Sequence, residues 1–330
     1  MKKALLGAIA LAAGLAAGPA FAADPVTLQL KWVTQAQFGG YYVAKEKGFY
    51  KDENLDVTIN AGGPDIAPEQ VIAGGNADVI VDWMGGALAA REKGVKLVNI
   101  AQPFTKAGME LVCPKSTGIK TEADFKGKTL GVWFFGNEYP FFAWMNKLGL
   151  STAEGGDVKV LQQSFDIQPM IQKQADCISV MTYNEYWQAI DAGFKQEDLT
   201  VFNYTKLGVD LLEDGLYVKE DKLKDAKFKA DMVKFVRASM KGWAYARDNT
   251  DEAAKIVLEN DDTGAQTEAH QKFMMGEVNK LTEGTTGALD EADYKRTVAT
   301  LLAAGGESPV ITKEPTGAWT HAVTDAAGLK

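Results

Sequence analysis

The sequence predicts an α/β chain of two similar lobes with a ligand cleft between them. Three observations carry this. Short apolar strands alternate with helices, the alternation restarts after a gap, and the second run echoes the first. In the first run Asp65-Ile66-Ala67-Pro68 opens a short helix; Ala77-Asp78, the buried strand Val79-Ile80-Val81 and a helix stopped by Gly94 follow. In the second, Asp166-Ile167-Gln168-Pro169 opens a short helix; Ala175-Asp176, the strand Cys177-Ile178-Ser179-Val180 and a helix stopped by Gly193 follow. Two ordinary helix–strand units can share such a pattern by chance, so the echo counts together with the alternation. In open α/β sheets, ligands bind beyond the carboxyl ends of the strands.

Residues 26–32 alternate apolar and polar and read as a strand. Residues 39–48 form a helix whose Lys-Glu-Lys-Gly ending suits a C-terminus. Strands over 55–59, 77–81 and 96–101 alternate with helices over 68–74 and 87–93. The second run places strands at 128–132, 158–161, 177–181 and 200–203, with helices at 141–148, 169–174 and 186–191. This alternation predicts a parallel sheet with helices on both faces. After Gly215 the chain reads as mainly helical, over 228–248, 250–260, 266–281 and 291–304.

Residues 1–22 read as a secretory signal peptide. Lys2 and Lys3 make a basic start, 4–18 is apolar and uncharged, and Ala20-Phe21-Ala22 places small residues where a signal peptidase reads. The stretch is too short and too rich in Ala and Gly for a good membrane span. A buried N-terminal helix is the alternative. Cleavage changes the formal charge from −9 to −11 by removing Lys2 and Lys3. An acidic chain argues against nucleic-acid binding, which needs a basic face.

The two cysteines, Cys113 and Cys177, lie in strand-like apolar runs. Two buried free thiols are the favoured reading, although export makes a disulfide chemically possible. His270 and His321 are far apart and lack ligand spacing, so no metal or cofactor is expected. His321, close to the C-terminus, is expected to be exposed. No Gly-x-Ser-x-Gly turn or phosphate loop is present, which argues against an enzyme.

Four further stretches carry a resemblance. They are Gly39-Gly40-Tyr41-Tyr42-Val43-Ala44-Lys45-Glu46-Lys47-Gly48-Phe49-Tyr50 with Leu55-Asp56-Val57; Ala73-Gly74-Gly75-Asn76-Ala77-Asp78; Lys126-Gly127-Lys128-Thr129-Leu130-Gly131-Val132; and Tyr183-Asn184-Glu185. With the opening Leu30-Lys31-Trp32, the chain resembles the periplasmic solute-binding proteins of ABC importers. These stretches are similar to the branch that holds thiamine-pyrimidine-precursor, sulfonate and nitrate binders and the fungal pyrimidine synthase. The resemblance implies an α/β two-lobe periplasmic binding protein fold with a hinge and interlobe cleft. Lobe 1 would comprise 23–113 and 215–330, and lobe 2 would be 114–214. It also implies a periplasmic monomer that takes a small solute to an ABC permease at the inner membrane.

Candidate ligand-binding residues sit at strand ends. Trp32 ends the first strand, where precursor binders carry an Asp-Trp pair whose Trp stacks on the pyrimidine; here the pair is Lys31-Trp32, so the acid is missing. A packed interlobe Trp is the alternative. Gln35, Gln37 and Phe38 share that loop, and the amides suit ring nitrogens or carbonyls. Trp83 and Gly85 lie in Asp82-Trp83-Met84-Gly85-Gly86, where glycines opening a helix could leave N–H groups free for an anion or carbonyl. Phe135, Asn137, Glu138 and Tyr139 follow the first strand of the second lobe, in a segment dense in aromatics that begins at Trp133. Tyr183, Asn184 and Glu185 follow the 177–181 strand; by resemblance Glu185 would bond an aminopyrimidine, while a helix-start Glu favoured by the dipole is the bland alternative. Glu213 and Asp214 are further candidates. This density of aromatics points to a flat heteroaromatic solute such as a thiamine pyrimidine precursor. Lys31 keeps a sulfonate or nitrate open, and a pyrimidine-synthase-like enzyme fits poorly.

Overall fold

The structure, a computed structural model, describes residues 22–134, 136–305 and 309–329. Residues 1–21 of the expected signal peptide lie outside them. Strands β1 (Asp24–Gln29), β2 (Leu55–Asn60), β3 (Val79–Asp82) and β4 (Leu97–Ala101) belong to a first sheet. Strands β5 (Met109–Pro114), β6 (Thr129–Val132), β7 (Lys159–Gln162), β8 (Cys177–Met181) and β9 (Leu199–Asn203) make a second, and β10 (Gly215–Lys219) returns to the first. Helices α1 (Gly39–Glu46) and α2 (Phe49–Asp52) lead from β1 to β2, α3 (Pro68–Ala73) to β3 and α4 (Met84–Glu92) to β4. In the second lobe α5 (Tyr139–Leu148), α6 (Gln168–Ile171) and α7 (Glu185–Asp191) play the same parts, and α8 (Tyr204–Leu207) begins the return. Helices α9 (Ala226–Asp248), α10 (Thr250–Glu259), α11 (Glu268–Leu281), α12 (Glu291–Ala303) and α13 (Ala322–Ala326) complete the chain.

The two sheets follow one plan. Their orders are β2-β1-β3-β10-β4 and β7-β6-β8-β5-β9. The echoed Ala-Asp pairs explain part of it. Asp78 donates its N–H to the Thr27 carbonyl at 3.0 Å and accepts the Thr27 N–H on its carboxylate at 2.9 Å. Asp176 does the same to Thr129, at 2.7 and 2.8 Å. Each Asp therefore fixes β3 or β8 against its parallel neighbour before the strand begins.

Neither sheet is wholly parallel, contrary to the expectation from alternation. β10 runs antiparallel to β3 and β4, and β5 antiparallel to β8 and β9. Each is the strand that has just arrived from the other lobe. It enters from the cleft side, where the parallel strands end, and so must run backwards. Two expectations are corrected with it. Residues 109–113, expected in lobe 1, pair within the second sheet, so the outgoing crossing lies between Ala101 and Met109. The segment after Gly215, read as mainly helical, begins with a strand in the interior of the first sheet.

The helical tail packs mainly on the first lobe, where α1 lies along α9 and α10. A Cβ on Gly40 would lie 2.1 Å from the Trp243 ring, and one on Gly242 2.1 Å from the Gly40 carbonyl oxygen. Glycine at both positions is what lets α1 and α9 touch, with Trp243 fully buried between them. α12 also reaches the second lobe. It packs on α5, and the Asn146 amide donates to the Ala303 and Ala304 carbonyls at 3.1 and 2.7 Å. His321 is half-buried rather than exposed, its ring bonded to the Leu289 carbonyl oxygen.

The cysteines are not free thiols. Val112 pairs with Ile178 across antiparallel β5 and β8, which sets Cys113 opposite Cys177, and the two form a disulfide with Cα atoms 4.1 Å apart. The sequence showed two buried cysteines but not that their strands are neighbours in this register. The bond joins residues 64 apart, so its removal is expected to cost about 2–4 kcal/mol. The Cys113→Ala/Cys177→Ala chain should melt well below the parent. An unchanged Tm, or two titratable thiols in the unfolded, unreduced parent, would show that the bond is not formed.

Candidate functional site

A cavity of about 410 Å³ opens between the lobes. Its walls come from the carboxyl ends of the parallel strands of both sheets. Lys31 and Trp32 follow β1, residues 63–70 follow β2, and Trp83 follows β3. From the second lobe Trp133 and Asn137 follow β6, Phe165 follows β7, and residues 183–185 follow β8. Trp32 reaches across and meets Phe165, ring centroids 4.6 Å apart and tilted by 52°. Phe165 in turn stacks on Trp133 at 6.5 Å, with the Trp133 indole N–H held by the Ser164 carbonyl. Three aromatic faces from two lobes thus gather at one wall.

A polar chain lies beside them. Gln35 donates to Gln37 Oε1 at 2.7 Å, and Gln37 donates to Asp214 Oδ2 at 2.7 Å. Asp214 is buried and holds φ at +43°, a left-handed conformation that Asp tolerates better than most residues. Lys31 pairs with buried Asp82 at 3.0 Å. Among the described residues, no cluster of His, Cys, Asp or Glu is arranged to hold a metal, and no helix is long and apolar enough to cross a membrane.

The family model described as NMT1/THI5 like matches residues 35–253, about two thirds of the sequence. The chain belongs to the NMT1/THI5-like family. A relative in Halalkalibacterium halodurans, named formylaminopyrimidine-binding protein, is 23% identical over 306 residues, covering 89% of each chain. Among solved structures, a Bordetella bronchiseptica protein superposes with a TM-score of 0.72 at 21% identity, covering 92% of this chain and 97% of that one. The periplasmic aliphatic sulphonate-binding protein of Escherichia coli does so at 0.64 and 13%, covering 85% of each. The fold is therefore the two-lobe fold of periplasmic solute-binding proteins.

Eight of the candidate residues of this family member line the cavity together: Trp32, Gln35, Gln37, Trp83, Asn137, Tyr183, Asn184 and Glu185. Phe38 does not. It sits in the short 3-10 turn before α1 and is fully buried in the first-lobe core. Gly85 does not line it either. A Cβ there would lie 3.2 Å from both Leu211 and Tyr139, so Gly85 makes room for Tyr139 of the other lobe. Tyr139, the first residue of α5, is therefore a packing partner of Gly85 in this structure. Glu138 turns back to accept the Gly136 N–H at 2.8 Å. Phe135 lies outside the described residues.

The cavity also includes residues the sequence reading passed over. Phe165 follows a short strand without any aromatic run to mark it, although the strand-end rule applied to β7 points to it. The 63–70 segment holds the first copy of the Asp-Ile-x-Pro echo, read only as organisation, and brings Asp65 and Glu69 to the wall.

The N-terminus of α4, expected to favour an anion, is already faced by carboxylates. Asp82 accepts the Trp83 N–H at 2.8 Å, and a Cβ on Gly86 would fall 2.7 Å from Glu69 Oε1 and 2.9 Å from Asp82 Oδ2. Burial pushes Asp82 up to about 7, against the pull of Lys31. Burial works to lower Lys31, but Asp82 and Glu69 outweigh it and hold the ammonium above its usual range. Burial likewise lifts Asp214 to about 6, opposed by Gln37 and Lys31.

Glu185 is the first residue of α7. Its carboxylate accepts the Met181 N–H at 2.9 Å and the Asn184 amide at 2.7 Å. Burial nevertheless raises it to about 7 from 4.5. A carboxyl raised on folding contributes most below its unfolded value and loses that contribution as pH rises through its folded value. Glu185→Gln should therefore cost most stability at pH 5 and least at pH 8, read by chemical unfolding at both. A cost that is flat or grows toward pH 8 would show that Glu185 does not titrate in this window.

Proposed function

We propose that the chain is the periplasmic solute-binding component of an ABC importer, and that it holds a small flat heteroaromatic ring between its lobes for delivery to an inner-membrane permease. The observation that carries this is the trio Trp32, Phe165 and Trp133 at the interlobe cavity. Indole and phenyl faces give a planar ring a large apolar contact, and the cavity volume suits a small ligand. Asn184, Glu185 and the Gln37–Asp214 chain supply acceptors for ring amino groups at its edge. A thiamine pyrimidine precursor combines these features, and the similarity to a formylaminopyrimidine-binding protein supports it.

In this reading residues 23–101 with 215–329 move against 109–203, and the two crossings between them form the hinge. A sulfonate or nitrate is less well served. Lys31 is paired with Asp82, and the helix end beside it faces Glu69. Catalysis by a synthase that consumes its own histidine is also less well served, because neither His270 nor His321 lines the cavity and both cysteines are bonded to each other.

Calorimetry of the mature chain with 4-amino-5-hydroxymethyl-2-methylpyrimidine should show saturable one-to-one binding with no product. Trp32→Ala should lose on the order of 1–3 kcal/mol, by analogy with bases stacked on aromatics, which is roughly five- to a hundredfold in Kd. The Tm of the ligand-free protein should barely move. Parent-like affinity in Trp32→Ala would reduce Trp32 to a packing partner of Phe165. Steady turnover of the ring would overturn the binding reading.

A further inference from the structure

The charge around the cavity is one-sided. Among the described residues lining it, Lys31 is the one cation, and it is already paired with Asp82. Asp65 and Glu69 lie on the same wall and Glu185 on the opposite one. Asp214 stands directly behind Gln37. One ammonium therefore answers five carboxyl groups.

Two of those carboxyls are incompletely satisfied. Asp82 Oδ2 and Asp214 Oδ1 are buried and have no hydrogen-bond partner among the described residues. Trp83, which lines the cavity and is about 95% buried, has an indole N–H in the same condition. That N–H is near enough to help hold the Asp214 carboxyl down, but the two do not meet in hydrogen-bond geometry. A buried carboxylate oxygen without a partner is costly, and the cost falls when positive charge arrives nearby. The aromatic faces favour the same occupant. The Lys31 ammonium already lies 5.5 Å from the Trp83 ring centroid, and indole faces attract cations.

We propose that the solute is bound as a cation: a flat ring carrying a protonated or quaternary nitrogen, held over the aromatic faces and balanced by the Asp82, Glu69 and Asp214 carboxyls. The proposal rests on the flat-ring reading and narrows it. A weakly basic ring that is neutral in solution takes one proton from the buffer as it binds, its ring nitrogen becoming N–H⁺. A permanently charged ring needs no proton. Burial holds Asp82 and Glu185 near 7 and Asp214 near 6, so all three are mostly ionised at pH 8 and could themselves take up a proton when a ring covers them; the cationic reading requires the proton on the ring nitrogen.

The test compares 4-amino-2-methylpyrimidine with its N1-methyl quaternary salt by calorimetry at pH 8, in buffers of different ionisation enthalpy. The expected result is uptake approaching one proton per neutral ring bound, or binding of the quaternary salt tighter by on the order of tenfold. Tighter binding of the quaternary salt supports the proposal. Proton uptake supports it, even if the added methyl group fits poorly, where the nitrogen chemical shift of the isotopically labelled bound ring shows the proton on the ring, and counts against it where the ring stays neutral and a carboxylate has taken the proton. Binding of the neutral ring with no proton uptake, together with a quaternary salt that binds no tighter, overturns the cationic reading and leaves the flat-ring reading standing. Failure of both compounds to bind overturns the flat-ring reading and this proposal with it. Asp214→Asn keeps a residue suited to the left-handed backbone and should weaken the quaternary salt by on the order of tenfold; an unchanged affinity removes Asp214 from the balance.

Discussion

The carboxylate of Glu213 accepts the backbone N–H groups of Gly108 and Met109, at 2.8 and 3.2 Å, inside the protein. Glu213 lies on the chain returning to the first lobe; Gly108 and Met109 lie on the chain leaving it. One side chain thus binds the two crossings side by side. Burial drives this carboxyl well above its usual range, and the two N–H donors oppose that rise. A buried carboxyl of this kind is tolerable only with its partners in place, so the pairing is stringent. The rest of the return is anchored as firmly. Arg296 of α12 bonds Asp210, the Leu212 N–H donates to Thr297 Oγ1, and Gln102 donates to the Glu213 carbonyl.

The next residue carries that constraint to the cavity. Asp214 receives Gln37, Gln37 receives Gln35, and both amides line the wall. The position of the crossings and the shape of the cavity floor are therefore set by two adjacent acids. Neighbouring like charges raise each other's cost of ionisation, which contributes to the lifted Glu213 carboxyl. A site built this way is acidic because of the fold itself, before any demand from a ligand.

The two lobes meet the cavity in the same manner because they share one strand order and one Asp clamp. In each lobe four parallel strands run toward the cleft, and the residues just beyond three of them form the wall. The visiting antiparallel strand, β10 or β5, sits beside them and delivers the crossing chain to the same side. Duplication of the unit therefore gives a two-sided site in which each lobe contributes aromatic residues. The lobes differ in charge: the first carries Lys31 with Asp65, Glu69, Asp82 and Asp214, while the second adds Glu185.

The sequence by itself determined most strand and helix positions, though not β10, together with the repeated unit and the strand-end segments that supply Trp32, Trp83, Asn137 and residues 183–185. These follow from local periodicity, turn residues and the tendency of α/β ligands to sit beyond strand ends, all of which are short-range properties. Tertiary structure decided the rest. Only pairing across the chain makes β5 and β10 antiparallel visitors, brings Cys113 opposite Cys177, and turns Gly85 into the seat of Tyr139. Only the approach of the two lobes sets Phe165 between Trp32 and Trp133, and only the packing of α3 on β3 and α4 within the first lobe brings Glu69 beside Asp82 at the end of α4. Those outcomes depend on register and contact between residues far apart in sequence, and no local pattern encodes either.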